Sequence, residues 1–141
     1  MDPNVILLPV FAMATLSFIV LFRLGYLLKK AIANKQVSED YFKVFRGEGS
    51  ETDQMIAVSR NYINLFEAPV LFYVVMIFFY ICFRVDHIAL ALAWGFVACR
   101  YIHTLAHIGA NIVRVRAMAF GMGQVFLFAL WLKFALSIYY K

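Results

Sequence analysis

Residues 5–28 read VILLPVFAMATLSFIVLFRLGYLL, an apolar run of about 24 residues that is long enough to be a membrane span. A helix rises about 1.5 Å per residue, and the hydrocarbon of a bilayer is roughly 30 Å thick. The preceding residues 1–4, MDPN, contain no Lys or Arg, and Lys29 and Lys30 directly follow the run, which is the reverse of a signal peptide. The run therefore predicts a retained transmembrane helix.

Three further segments repeat this apolar pattern, at residues 54–83, 87–108 and 113–139. A polar loop at residues 29–53, KKAIANKQVSEDYFKVFRGEGSETD, separates the first two. Over the whole chain 65% of the residues are hydrophobic and 15% are charged, against about 45–50% and about 25% in soluble domains. We therefore predict an all-α integral membrane four-helix bundle that forms a single domain over residues 1–141, with Pro69 bending the second helix.

Basic residues are unevenly distributed among the connections between the predicted helices. The first and third connections carry most of them: Lys29, Lys30, Lys35, Lys43, Arg46, Arg114 and Arg116. The N-terminal segment carries none, and the second connection carries only Arg84. The positive-inside rule then predicts both termini outside, with the first and third connections in the cytoplasm. Because the net charge of +5 lies beside apolar runs, the predicted partner is the lipid bilayer and no nucleic acid is expected.

Polar side chains interrupt three of the predicted helices, and each set follows one helical face. The sets are Arg60, Asn64 and Glu67; Arg100, His103 and His107; and Arg116 and Gln124, with Phe120 between them on the same face. Residues three, four and seven apart share a face of a helix. With the predicted topology, all three faces lie in the cytoplasmic leaflet. An ionised side chain at a helix centre costs about 2.5–3.5 kcal/mol, so the pattern predicts a polar site that compensates this cost.

Cations outnumber anions in these sets, with three arginines against Glu67. Guanidinium groups bind carboxylates through paired hydrogen bonds, so a small ligand that carries carboxylates fits, and Glu67 suits an ammonium group on it. Two other interpretations stay open: the arginines extend to the cytoplasmic interface, or Arg60 and Glu67 pair only to hold the bundle together.

Metal and disulfide chemistry receive little support from the sequence. His103 and His107 stand one helical turn apart, as zinc ligands can, but no third ligand of the usual kind accompanies them. Cys82 and Cys99 fall inside apolar stretches at different predicted depths. We therefore predict neither a metal site nor a disulfide.

The segments RNYINLFEAP at 60–69 and RYIHTLAHIGANIVRVRAMAFGMGQ at 100–124 resemble the MAPEG superfamily, the membrane-associated proteins of eicosanoid and glutathione metabolism. The KKAIAN segment at 29–34 is similar to the start of the family's first cytoplasmic loop, and the chain resembles a bacterial member. The resemblance implies a homotrimer of four-helix protomers in a bacterial inner membrane. It also implies that glutathione binds between neighbouring subunits near the cytoplasmic face.

Carried over position by position, the resemblance makes Arg116 the catalytic residue that stabilises the glutathione thiolate. It matches Asn64, Glu67 and His103 to residues that hold glutathione, and Arg60 to a structural arginine before them. Together with the polar faces, it gives one predicted glutathione-binding set: Arg60, Asn64, Glu67, Arg100, His103, His107 and Gln124.

The implied activity is that of a glutathione-dependent transferase or peroxidase acting on lipophilic electrophiles that arrive from the bilayer. The pattern departs from the family's prostaglandin E synthases at five positions: Tyr26, Ile63, His107, Ala117 and Phe120. The missing hydroxyl groups at Ala117 and Phe120 favour the alternative, a non-catalytic lipid- or fatty-acid-binding membrane protein of the same fold. A channel or transporter is less favoured, because the chain shows no internal repeat.

Overall fold

The computed structural model describes residues 2–36, 51–109 and 112–139. A short 3-10 turn at Pro3–Ile6 leads into α1, Leu7–Ala33. The chain continues through α2, Asp53–Asn64, and α3, Ala68–Ile81. It ends with α4, His87–Ile108, and α5, Val113–Tyr139. Within the described ranges every regular element is helical.

Four stretches of the described chain are long and apolar enough to cross a membrane: Pro3–Ala33, Asp53–Ile81, His87–Ile108 and Val113–Tyr139. Their outer surfaces are dominated by large apolar side chains such as Phe11, Phe22 and Phe128. Soluble monomers rarely expose apolar surface on this scale. The chain is therefore an integral membrane protein, and the predictions of an all-α fold and of four spanning helices are confirmed.

The first helix is longer than its sequence predicted. α1 continues through Lys29 and Lys30 to Ala33, so its last turns fall within the predicted loop 29–53. It closes where the backbone N–H groups of Lys35 and Gln36 bond to carbonyls of the last turn, with Lys35 at a positive φ of 55°. The rest of that predicted loop, residues 37–50, lies outside the described residues.

The second span is not the single helix that was predicted over residues 54–83. α2 ends at Asn64, residues 65–67 form a turn, and α3 starts at Ala68. Pro69 lies in the first turn of α3, where the helix needs no N–H donor. In a continuous helix, Pro69 would leave the Leu65 carbonyl without a donor and its ring would clash there. The proline thus produces a break one turn before itself, rather than a bend at its own position.

Aromatic side chains fill the core between α3, α4 and α5. Phe72 stacks on Phe96 with ring centroids 4.6 Å apart, and Phe134 contacts Phe78 at 5.5 Å. α4 and α5 pack along their length. At Gly95 an added Cβ would lie 2.6 Å from the ring of Phe126, so glycine is what permits this close approach.

Two hydrogen bonds tie α4 to the helices around it. The Tyr101 hydroxyl donates to the carbonyl of Ala12 in α1 over 2.9 Å. The Asn61 side-chain amide of α2 donates to the Thr104 hydroxyl over 3.3 Å, and both groups are buried. Inside a membrane protein such bonds are worth about 0.6–2 kcal/mol each, so they help to fix α1 and α2 against α4.

An ion pair joins α4 and α5 at the end of the bundle opposite the polar faces. Asp86 precedes α4 and accepts a 2.8 Å hydrogen bond from the backbone N–H of Ala89, which caps the helix. The same carboxylate pairs with Lys133 of α5. Burial by itself would raise the pKa of the Asp86 carboxyl, but the hydrogen bonds and charge of Lys133 and the cap bond outweigh it. The pKa of Asp86 therefore lies below its ordinary value.

Acidification should remove the stabilisation that Asp86 supplies. Because the folded-state pKa is lowered, the contribution is fully present above the unfolded-state value of about 3.9 and is lost as pH falls through the folded-state value. We expect the unfolding temperature in detergent to fall more steeply below about pH 4 in the wild type than in Asp86→Asn. The pair is partly exposed, so the difference should stay under about 1 kcal/mol. Parallel pH profiles for the two proteins would contradict this role.

Candidate functional site

One face of α4 carries four buried polar side chains: Arg100, His103, Thr104 and His107. Their spacing is that of a single helical face, so one helix presents all of them to the same interior. α2 packs against this face at Thr104, whose hydroxyl is hydrogen-bonded to the Asn61 side chain. α5 packs against this face at His103, whose Nδ1 lies 3.0 Å from the backbone carbonyl of Arg116. We call these four residues, with Phe120 and Gln124 of α5, the polar cluster.

Arg100 is the most unusual member of the polar cluster. Its side chain is 1% exposed, and none of its three guanidinium nitrogens has a hydrogen-bond partner among the described residues. The guanidinium carbon lies 5.3 Å from the ring centroid of Phe96 and 5.1 Å from that of Phe120. Cation–π contacts of about 0.5–2 kcal/mol do not replace the hydration of a buried cation. Arg100 is therefore a buried hydrogen-bond donor that lacks an acceptor among the described residues.

Two histidines continue the polar cluster toward the end of α4. The rings of His103 and His107 lie 5.7 Å apart, and His103 is equally far from the ring of Phe120. Because a carbonyl can only accept, the Nδ1 of His103 carries the proton in its contact with Arg116. The Nε2 of His103 and the Nδ1 of His107 are buried without a hydrogen-bond partner in the described chain.

Gln124 adds one more buried donor, because its Nε2 also lacks a partner among the described residues. It stands one helical turn beyond Phe120 on α5, the residue whose ring contacts Arg100. The unpaired nitrogens of the polar cluster thus come from both α4 and α5, and those of Arg100 and Gln124 are donors. Groups of this kind bind carboxylates and carbonyl oxygens.

The predicted residues of the second span do not enter the polar cluster. Arg60 and Glu67 are exposed and Asn64 is half-buried. The break after Asn64 explains part of this, since Glu67 no longer follows Arg60 and Asn64 on one continuous helical face. Glu67 still interacts electrostatically with Arg100, and Arg60 with His107. The structure therefore brings together the sets on α4 and α5. It leaves the set on the second span, Arg60, Asn64 and Glu67, at their edge.

Asn61 is the residue of α2 that does contact the polar cluster, and the sequence analysis missed it. It is fully buried and lies in line with Met55, Val58 and Leu65, the other buried residues of this stretch. The spacing of these four residues is helical. That spacing was the available signal, because it places Asn61 on the inner face and Arg60 beside it on the outer face.

An apolar cavity lies between α1 and the second span. It measures about 190 Å³ and is lined by Ala14, Ser17, Phe18, Leu21, Tyr62, Phe66 and Tyr73. A more open recess of about 370 Å³ shares Tyr62 and Phe66 with it and extends to Ile63 and Glu67. The two therefore adjoin, and a lipophilic molecule that extended from the cavity into the recess would reach Glu67.

The fold and the site together define a four-span membrane protein with a buried polar cluster near one end of the bundle. A scan against protein-family models matches the model of the MAPEG family to residues 6–136. This match covers almost the whole chain and all of the polar cluster, so the chain belongs to the MAPEG family. A search of curated proteins and a search of solved structures each found no match.

Proposed function

We propose that the protein binds glutathione beside its polar cluster and uses the thiolate to attack or reduce lipophilic electrophiles. The observation that carries this proposal is Arg100, a fully buried guanidinium with no hydrogen-bond acceptor in the described chain. Glutathione is a tripeptide with two carboxylates and two peptide carbonyls, and these are the acceptors that such a donor requires. Membership of the MAPEG family, which includes glutathione-dependent transferases and peroxidases, supports the same ligand.

Arg116 is the residue we assign to thiolate stabilisation. It lies near the start of α5, where the N-terminal end of the helix adds positive potential. A free thiol has a pKa of about 8.5 and is mostly protonated at neutral pH, whereas a nearby cation favours the thiolate. Arg60, Asn64, Glu67 and Gln124 would hold the peptide, with Glu67 on its ammonium group.

A homotrimer is part of the same proposal. Arg60 and Glu67 are exposed on the protomer although they belong to a membrane span. Charged side chains that face lipid are costly, and the usual solutions are a partner or a water-filled cavity. A neighbouring subunit packed against this surface would cover both residues and enclose glutathione between protomers.

We also propose a bacterial inner membrane location, with the polar cluster in the cytoplasmic leaflet. The end of α1, the start of α2 and the end of α4 meet at one end of the bundle, as shared cavities demonstrate. Lys29 and Lys30 lie at this end on α1, and Arg114 and Arg116 lie at the start of α5. The positive-inside rule places this end in the cytoplasm and both termini outside.

The second candidate function is non-catalytic binding of a lipid or fatty acid. The observation that favours it is the apolar cavity of about 190 Å³ between α1 and the second span, whose lining is almost entirely apolar. Under the leading proposal the same cavity would admit the electrophile from the bilayer. Binding of glutathione therefore discriminates the two functions.

Calorimetric titration of the purified protein in detergent tests the leading function. We expect saturable glutathione binding in the wild type and binding weakened roughly 10- to 100-fold in Glu67→Gln, because a hydrogen bond to a charged group is worth about 1.5–3 kcal/mol. Glu51→Gln, outside the spans, is the matched control and should bind like the wild type. No binding at millimolar glutathione, together with binding of a fatty acid, would favour the second function.

A further inference from the structure

A further cavity opens at the end of the bundle that carries the polar cluster. It measures about 300 Å³ and is lined by Asp53, Gln54 and Ala57 of α2 and by His107, Ile108 and Gly109 beside them. Water in the liquid occupies about 30 Å³ per molecule, so this cavity has room for several waters. Its carboxylate, amide and imidazole groups supply the polar partners that ordered water needs.

His107 forms the wall between this cavity and the buried interior. Its side chain is 5% exposed, and its Nδ1 is buried without a hydrogen-bond partner in the described chain. The ring stands 5.7 Å from that of His103, which in turn contacts the backbone of Arg116. A line of polar groups therefore runs from the cavity through two imidazoles to the residue that we assign to the thiolate.

The charged groups around His107 are mostly cationic. Arg116 of α5 and Arg60 of α2 act on it electrostatically, and Asp53 of α2 shares the wall of its cavity. On its own helix, the nearest titratable neighbour is His103. A thiolate formed in this surrounding would add a negative charge and so stabilise a proton on the imidazole.

We propose that His107 accepts the thiol proton of glutathione and releases it to water in the cavity, which connects the site to the cytoplasm. The inference rests on the proposed function. In this step the S–H bond breaks, its electron pair stays on sulfur, and the proton binds a neutral imidazole nitrogen. The proton then passes to cavity water, and the imidazole is neutral again. No oxidant or further reactant takes part.

The composition of the polar cluster singles out His107 for this step. Phe120 and Ala117 offer no hydroxyl, and Arg100 and Gln124 present donors. The Nε2 of His103 also lacks a partner in the described chain, but His103 does not line the cavity. His107 is the described member of the polar cluster that has an unpaired nitrogen and also lines the cavity.

Cysteine labelling tests the cavity without any ligand. In a Cys82→Ser, Cys99→Ser background, His107→Cys and Ala57→Cys place thiols on opposite walls of the cavity. Leu105→Cys is the matched control, since Leu105 lies two residues from His107 but is 66% exposed on the outer surface. We expect a charged, membrane-impermeant thiol reagent on the cytoplasmic side to modify the first two variants and not the third. If neither of the two cavity variants is modified, the proposed water-filled path is wrong.

The rate of thiolate formation in bound glutathione tests the proton transfer itself. Thiolate absorbance is followed after glutathione is mixed with the wild type and with His107→Gln, which preserves size and one donor group. Because His107 returns to its neutral form, its loss should slow thiolate formation by at least about 100-fold and leave the final thiolate fraction nearly unchanged. S-methylglutathione, which has no ionisable thiol, should bind both proteins equally.

The two ligands separate the possible failures. Equal rates of thiolate formation in two proteins that bind S-methylglutathione equally would overturn the role of His107 and leave the proposed function standing. If neither ligand binds the wild type, the proposed function is wrong and so is the proton transfer built on it. Cysteine labelling then still decides whether the cavity reaches the cytoplasm.

Discussion

Arg116→Leu should lower the rate of glutathione conjugation to a lipophilic electrophile by at least about 100-fold, because removing one stabilising donor from a reacting anion costs about 10²–10³ in rate. The variant keeps the contact of Arg116 with His103, since that contact uses the backbone carbonyl. The loss should therefore appear in the chemical step, with the thiolate absorbance of bound glutathione at neutral pH falling in parallel.

Arg114→Leu provides the matched control for this experiment. Arg114 carries the same charge, lies two residues earlier in α5, and is exposed. It should retain most of the activity, because residues two apart on a helix do not face the same surroundings. Full activity in Arg116→Leu, or an equal loss in Arg114→Leu, would remove Arg116 from its assigned role.

Arg100→Met should abolish the thermal stabilisation by glutathione while leaving the ligand-free protein at least as stable as the wild type. Replacing an unpaired buried charge by an apolar side chain of similar size removes a desolvation cost and keeps contact with Phe96 and Phe120. At a glutathione concentration of 100 times the dissociation constant, the wild type should gain about 2.7 kcal/mol and the variant should gain almost nothing. Unfolding temperatures in detergent, with and without glutathione, measure both effects.

Arg100→Lys separates charge from geometry in the same assay. Lysine keeps the positive charge but cannot form the paired hydrogen bonds of a guanidinium with a carboxylate. We expect an intermediate gain in stability with glutathione. A ligand-free Arg100→Met protein that unfolds well below the wild type would contradict the proposal, since it would show that Arg100 stabilises the fold itself.

The four spans were predictable from sequence because length and apolarity alone decide whether a helix suits a bilayer. The break at residues 65–67 was harder to place, because Pro69 permits either a kink or a new helix start, and packing decides between them. The ion pair of Asp86 with Lys133 was not predictable at all. These residues lie 47 positions apart, and only the docking of α4 against α5 brings them together.

The candidate site, too, was predictable from the sequence only in part. Arg100, His103 and His107 were assigned to one face from their spacing, and one continuous helix does present them together. The face of the second span was assigned from polarity, and polarity selected Arg60 over its neighbour Asn61. Which of two adjacent polar residues points inward depends on the phase of the buried apolar residues, and Met55, Val58 and Leu65 set that phase.

The break in the second span has a consequence for biosynthesis. α3 contains 14 residues, so it extends about 21 Å, which is short of the roughly 30 Å that a freely partitioning segment must cross. The missing length comes from α2, which carries Asn61 and Asn64 into the membrane. Asn61 finds its partner, Thr104, only when α4 has been synthesised. The second span should therefore remain beside the translocon until the third span has been synthesised. The two spans should then enter the lipid together.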